Sequence, residues 1–318
     1  MIELYITHNN IVYQPIVCDG IQWDTERKGV QGKLSFKVIK DEKINFTEGD
    51  AVRFSVDGVD VFFGYIFKKS RDKEGIISVT AYDQLRYFKN KDTYSYTNKT
   101  ASEVIQMLAS DFNLKVGTLD DTQFKIESRV EDNQTLFDIV QNALDLTLMS
   151  KKEMYVLYDD FGKITLKNIG NMKVPILIDE NTGENFDYST SIDGNTYNQI
   201  KLVKEDKEKR KREIYMTKDS SNINQWGVLQ YFESIDGNVN GKAKADALLN
   251  LYNQKTRNLS IKGAFGDVRV RGGSLVAVKL DLGDVVTNSF LLVEKVAHTF
   301  SDGLHSMDLT LRGGAFIA

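Results

Sequence analysis

Gly49-Asp50-Ala51-Val52-Arg53-Phe54-Ser55-Val56 and Gly273-Ser274-Leu275-Val276-Ala277-Val278-Lys279-Leu280 carry one pattern twice, near opposite ends of the chain. In each, apolar side chains fall three, five and seven residues after the glycine. Period-two alternation places one face of a strand on a core and the other in water. Each copy then meets an Asp/Gly turn, Asp57-Gly58 or Asp281 to Gly283. A second apolar strand follows (Val61 to Phe67; Phe290 to Val296), then a third that alternates (Ile77, Val79, Ala81; Met307, Leu309, Leu311). A duplicated β-module with other material between its copies suggests a ring-building protein more than a one-pocket enzyme.

Working outward, residues 1 to about 97 read as nearly all strand: Glu3 to Thr7, Ile11 to Val17, Gln31 to Ile39, Val52 to Val56, Val61 to Phe67 and Ile76 to Ala81. Short strands at turn-length spacing point to a small barrel or sandwich. Trp23 and Phe36 are expected to anchor its core, since large aromatics dominate small β cores. The period then changes. Thr100-Ala101-Ser102-Glu103 is a capping box opening a helix whose Ala101, Val104, Ile105 and Leu108 share a face. A second helix starts at Thr135, with Leu136, Ile139, Val140, Ala143 and Leu144 at helical spacing. A hairpin from Met154 to Lys167, turned by Asp159-Asp160-Phe161-Gly162, is its expected partner. From about Asn185 strands return: Tyr197 to Val203 is answered by Glu213 to Thr217 across the charged run Lys204 to Arg212. A third helix covers roughly Gly241 to Lys255.

The expected fold is therefore α+β and β-rich, with two similar tube-type β-barrel or sandwich domains and a small α+β domain inserted between them. The boundaries read as 1–97 for the first β-domain, 98–175 for the α+β domain and 176–318 for the second β-domain. The last includes the charged hairpin (about 197–217) and the helix (about 241–255). At 318 residues the chain is long enough for two or three cores.

Composition narrows the function classes. A net charge of -4 gives no overall basic footprint for nucleic acid. The single cysteine, Cys18, excludes an internal disulfide and a Cys-rich zinc site. No apolar run approaches the ~18 residues that span a bilayer. The opening Met1 to Asn10 lacks a basic-then-apolar signal, so the chain is expected to be made in the cytoplasm.

Candidate chemistry is sparse. If Asp302-Gly303 forms a two-residue hairpin turn, Phe300 faces His305 and His298 faces Met307, so both imidazoles share a face as diagonal neighbours. Two histidines begin a metal site, but a catalytic zinc needs three protein ligands and no carboxylate or cysteine points the same way. They read as half-buried, locally bonded residues, and His8 stands alone. Asp120-Asp121 and Asp159-Asp160 are adjacent pairs that diverge, so they read as turn residues rather than glycosidase carboxylates. No nucleophile elbow, P-loop or dinucleotide fingerprint is present. Lys209 to Arg212 offers a contact to nucleic acid or an acidic partner; a solvated hairpin tip explains the run better. Arg271-Gly272-Gly273 and Arg312-Gly313-Gly314 match RNA-binding boxes in letters only and read as turns. No catalytic residue, metal ligand or cofactor site is assigned. Framework positions of the two β-modules are Gly49, Asp50, Gly64, Asp83, Gly273, His298 and His305.

Three stretches carry a resemblance that spans essentially the whole chain: Gly49-Asp50 through Gly64-Tyr65-Ile66-Phe67; Val79 to Leu85 with Thr100 to Val104 after it; and Val293 to His298 leading to His305 to Leu311. In their order and spacing the chain resembles the hub proteins of contractile-tail baseplates, the XkdQ-like hubs of PBSX-type prophages and R-type bacteriocins, within the late control gene D-like hub family. The resemblance implies a non-enzymatic homotrimer in a virion or phage-tail-like particle. Two tube-like domains per subunit would make a pseudo-sixfold ring adapting a hexameric tail tube to a trimeric spike or needle, alongside other baseplate proteins and LysM-type tail proteins. It implies no membrane span, no specific nucleic-acid binding and no cofactor. The copies differ, Asp50 corresponding to Ser274 and the last connection being longer. The rival readings are a tail-associated peptidoglycan hydrolase and a nucleic-acid- or carbohydrate-binding module.

Overall fold

Both glycines that open the repeated pattern take left-handed backbone, φ +92° at Gly49 and +97° at Gly273, a region that costs other residues steric energy. The turns they close are the same turn. The Gly49 amide donates to Ile66 C=O (2.8 Å) and the Ile66 amide to Asp50 C=O (2.9 Å); Gly273 donates to Val293 C=O (2.8 Å) and Val293 to Ser274 C=O (2.8 Å). The residue after each glycine folds back three residues. Asp50 Oδ2 accepts the Thr47 amide (2.6 Å), and Ser274 Oγ accepts the Arg271 amide (3.0 Å). A carboxylate and a hydroxyl thus satisfy equivalent donors, which is why the Asp/Ser difference leaves the turn intact.

The computed structural model describes residues 1–41, 43–206, 211–235 and 240–313. Seven strands open the chain: β1 (Ile2–His8), β2 (Ile11–Tyr13), β3 (Ile21–Glu26), β4 (Lys33–Ile39), β5 (Ala51–Val56), β6 (Val59–Arg71) and β7 (Ile76–Tyr82). The first module has the spatial order β4-β7-β6-β5, all antiparallel. The second repeats that order with Thr256–Phe265, Leu304–Arg312, Val286–Ser301 and Leu275–Asp281. In each module the long central strand carries a one-residue bulge at the matching place, at Phe67 in β6 and at Glu294 in Val286–Ser301. The bulge lets one strand pair with different neighbours along its length. The alternation predicted for the two opening strands holds, with Val52, Phe54, Val56, Val276, Val278 and Leu280 all buried.

The modules diverge at their fifth strand. β1 pairs with β5 antiparallel, whereas Lys173–Asp179 pairs with Leu275–Asp281 in parallel. They are also fused. β3 pairs with β4 on one side and with Val286–Ser301 on the other, from Lys295↔Glu26 to Phe300↔Ile21, so one continuous sheet of thirteen strands runs through both. β3 is absent from the strands expected from sequence. Trp23 and Phe36 are core residues, as expected, beside Phe54 and Phe300, which meet edge to face at 5.2 Å.

Several expected bounds shift for physical reasons. The strand drawn over Ile11 to Val17 ends at Tyr13, because Pro15 has no amide to donate; only a lone bridge, Val17↔Val38, resumes pairing. The first β-module ends at Tyr82 instead of near 97. Leu85, Phe88 and Tyr96 join a second core with helices α1 (Ala101–Asp111) and α2 (Leu136–Lys151), and Lys91–Lys99 pairs with Ile126–Thr135 in a separate ribbon. The α1 capping box forms with both reciprocal bonds, Glu103 N–H to Thr100 Oγ1 at 3.2 Å and Thr100 N–H to Glu103 Oε2 at 2.7 Å. Thr135 caps α2, and the expected hairpin forms as Tyr155–Asp159 paired antiparallel with Ile164–Asn168.

Among the described residues, 1–186 together with 260–313 form one compact unit, and Asp187–Leu259 forms another. In that second unit Gln199–Asp206 lies between Lys211–Lys218 and Gln230–Ser234, and the helix Gly241–Tyr252 covers one face over Ile200 and Leu202. The sequence expectation drew 176–318 as one module. The separate core around Ile200, Leu202 and Ala245 sets residues 187–259 apart.

Candidate functional site

Two buried carboxylates meet where the first β-module, the α+β region and the second β-module come together. Asp83 follows β7 and caps the short turn Gln84–Lys89, accepting the Leu85 amide at 3.0 Å and, across the sheet, the Gly32 amide at 2.8 Å. Asp159 ends the first hairpin strand and accepts the Gly162 amide (2.6 Å) that its turn leaves free. Gln84 ties them: its Nε2 donates to Asp159 Oδ2 at 3.3 Å and to Gly162 C=O, and its Oε1 accepts the Lys115 amide at 2.8 Å. Arg271 arrives from the second module's turn. Its Nη1 donates to Asp159 C=O (3.2 Å), and its guanidinium lies 4.3 Å from the Tyr158 ring centre and 5.7 Å from that of Trp23.

Burial holds both acids above the ordinary carboxylate range. Asp83 is pushed well up by desolvation and then by the charge of Asp159; Asp159 is pushed up by desolvation, with the Gly162 amide, Gln84 and Arg271 opposing. Such a pair has the electrostatics of an acid/base site. The cavity beside it, however, encloses about 20 Å³. That is room for roughly one water, and a glycosidase must seat a sugar between its carboxylates. The arrangement is a polar joint between modules. Asp159 and Asp160 diverge as expected, but Asp159 finds its acidic neighbour 76 residues away, which adjacency in sequence does not reveal.

The hairpin register at Asp302-Gly303 is the predicted one, with Phe300↔His305 and His298↔Met307. His298 is fully buried, not half-buried as expected, and stacks on Trp23 at 4.6 Å. Its Nε2 meets Val270 C=O at 2.9 Å and must carry the proton there. Nδ1 therefore accepts from His305 Nε2, also at 2.9 Å. Burial, reinforced by His305, pushes His298 down to about 3, so the network is neutral at ordinary pH. Both ring nitrogens of His298 are committed, and among the described residues no group of three His, Cys, Asp or Glu is placed to hold a metal.

The remaining framework positions act in packing. A Cβ on Gly64 would stand 2.3 Å from Tyr82 C=O, and one on Gly273 would stand 2.6 Å from a Val156 methyl. Asp50, besides its turn, bonds His8 Nδ1 at 2.8 Å; His8 has a partner that sequence reading did not find. Asp121 accepts the Gln123 amide two residues on, as a turn residue does, whereas Asp120 accepts the amide of Asn168, 48 residues away, at 2.9 Å. Of the basic run, Lys209 and Arg210 lie outside the described residues, as does Gly314 of the second Arg-Gly-Gly string.

Residues 21–312 match the YQBQ-like family. The phage-like element PBSX protein XkdQ of Bacillus subtilis (strain 168) is 28% identical over 321 residues, covering 97% of this chain and 96% of its own. Among solved structures, the 43 kDa tail protein of prophage MuSo2 from Shewanella oneidensis superposes with a TM-score of 0.70 at 12% identity, over 97% of this chain and 98% of that one. The E. coli c3393 protein, a component of the type VI secretion system described as similar to the bacteriophage T4 tail proteins gp27 and gp5, gives 0.58 at 11%, over 99% and 78%. At such identities the structural likeness shows a shared fold.

Proposed function

The chain belongs to the YQBQ-like family, and from that premise we propose that it is a structural protein of a phage tail or phage-tail-like particle, the hub of its baseplate. In this reading it is non-enzymatic and homotrimeric, and it adapts a sixfold tail tube to a threefold spike. XkdQ, a similar protein over nearly its full length, is named for a phage-like element, and the fold is shared with tail proteins.

The observation that carries the reading is the internal repeat. Two modules with the same strand order, the same glycine turn and the same bulged central strand, taken three times, supply six near-equivalent positions from three chains. β3 fixes the two modules within one sheet, so their spacing is set by hydrogen bonds rather than by a linker. Lys173–Asp179 and β1 differ in direction at the ends of the modules, which gives the two positions different neighbours. Tail tube protein above, spike below and LysM-type tail proteins beside it are the partners this geometry would serve, in a baseplate assembled in the bacterial cytoplasm.

Co-expression with the tube and spike proteins of the same particle tests the reading. A complex sedimenting with three copies of this chain is expected. A strict monomer at high concentration that joins neither partner would overturn it. Activity on purified peptidoglycan that is lost in Asp159→Asn would instead establish the hydrolase reading.

A further inference from the structure

Arg271 has a second face. Outside the carboxylate joint, its side chain lines a cleft of about 340 Å³ together with Trp23 and Tyr158. That size lies at the lower end of ligand pockets. Two aromatic rings and the Asp159 carbonyl fix the guanidinium plane. Yet among the described residues no carboxylate lies within ion-pair distance of Arg271. Asp83 and Asp159 feel its charge from the joint but make no ion pair with it, so a planar cation held flat still has its donor edge free of a carboxylate and is preorganised for a planar oxyanion.

The charges around it select the ligand. Lys167, Lys173, Arg269 and Arg271 line the cleft against Asp60 and Asp160. Arg269 is held by Asp267, at 2.6 Å, so three cations face two carboxylates. On a chain of net charge -4 this is a local positive excess. The two lining carboxylates disfavour a polyanion with a charge at every step, such as a nucleic-acid backbone, more than they disfavour a single carboxylate. The walls add apolar surface from Val59, which is half exposed, Val174 and Val268.

The geometry points to this cleft as a receptor for a carboxylate on an acidic peptide segment of a partner protein, with Arg271 as the anchoring residue. That the occupant is a protein segment rests on the scaffold reading above; the carboxylate chemistry rests on the cleft alone.

Trp23 reports the site. In a Trp226→Phe background it is the only tryptophan, and it lies 5.7 Å from the Arg271 guanidinium. Titration at low salt with an end-capped tetrapeptide of one glutamate and three glycines should change its emission saturably, whereas the same peptide with glutamine in place of glutamate should not. Arg271→Lys, which keeps the charge but loses the planar fork, should weaken binding at least tenfold. Lys167→Gln, on the rim, should weaken it a few-fold and serves if the Arg271 variant does not fold. No saturable change, or equal affinity in Lys167→Gln and Arg271→Lys, would overturn the inference. Inorganic phosphate binding as tightly as the peptide would overturn the peptide assignment. Incorporation of the chain into tail particles is a separate readout: a chain found in particles with a cleft silent toward the single-glutamate peptide overturns this inference and leaves the scaffold reading standing.

Discussion

Replacing Glu294 by alanine should cost far more than a surface substitution, because of where the bulge puts it. Arg27 follows β3, and its side chain is 3% exposed; its Nε donates to Glu294 Oε2 at 2.8 Å, while its Nη1 meets the Met154 sulfur at 3.7 Å. Glu294 is the extra residue of the bulge in Val286–Ser301. The matching residue of the first module, Phe67, instead meets the Tyr82 ring at a tilt, 5.4 Å between centres. Removing the carboxylate strands a desolvated guanidinium, and breaking a buried pair costs about 3–5 kcal/mol. Glu294 is 21% exposed, which lets water relieve part of that penalty, so about 3 kcal/mol is expected. Glu294→Gln retains one acceptor and should lose about 1–2 kcal/mol. Arg27→Met with Glu294→Leu should recover most of the loss. Urea unfolding followed by Trp23 emission in a Trp226→Phe background, run as a double-mutant cycle, measures the coupling. A Glu294→Ala loss below about 1 kcal/mol, the range of exposed pairs, would refute the claim that this contact locks β3 between the modules.

Gly64→Ala should destabilise by about 1–3 kcal/mol in the same unfolding assay, since its new Cβ meets a backbone carbonyl that cannot retreat without breaking the β6–β7 pairing. Ser274→Ala leaves the Arg271 amide without its turn acceptor and should cost a comparable 1–3 kcal/mol; full retention of melting temperature would contradict the turn equivalence. The Asp83–Asp159 joint sets a pH dependence. Both folded-state affinities for protons are raised, so the folded chain binds more protons than the unfolded one, and stability falls as pH rises above the ordinary value of 3.8 through the folded-state range. Asp159→Asn should flatten that fall in thermal melts across pH; an unchanged profile would show that the pair stays ionised throughout.

How much could be read beforehand follows from the range of each signal. Alternation over Val52 to Val56 and Val276 to Leu280, the Thr100–Glu103 box and the Asp302-Gly303 register are local patterns, and the structure contains each of them. β3 escaped because only Ile21 and Trp23 are buried in it and Asp24, Thr25 and Glu26 follow, which reads as a turn. Its pairing on both edges is invisible without its neighbours. The acidic joint escaped for the same reason, since Asp83, Asp159 and Arg271 are brought together only by three separate strand ends. His8 and Asp50, 42 residues apart, meet because β1 lies antiparallel to β5. The independent core of residues 187–259 has no glycine- or proline-rich linker to announce it.

The claim that the internal repeat builds a ring is tested most directly by the symmetry of this chain in an assembled tail, resolved by electron cryomicroscopy of the particle. Three copies around the tail axis, with the Gly49 and Gly273 turns alternating at six near-equal radii and angles about a central passage, is the predicted density. A chain present in one or six copies, or a threefold layer in which the two modules lie at unrelated radii, would contradict it.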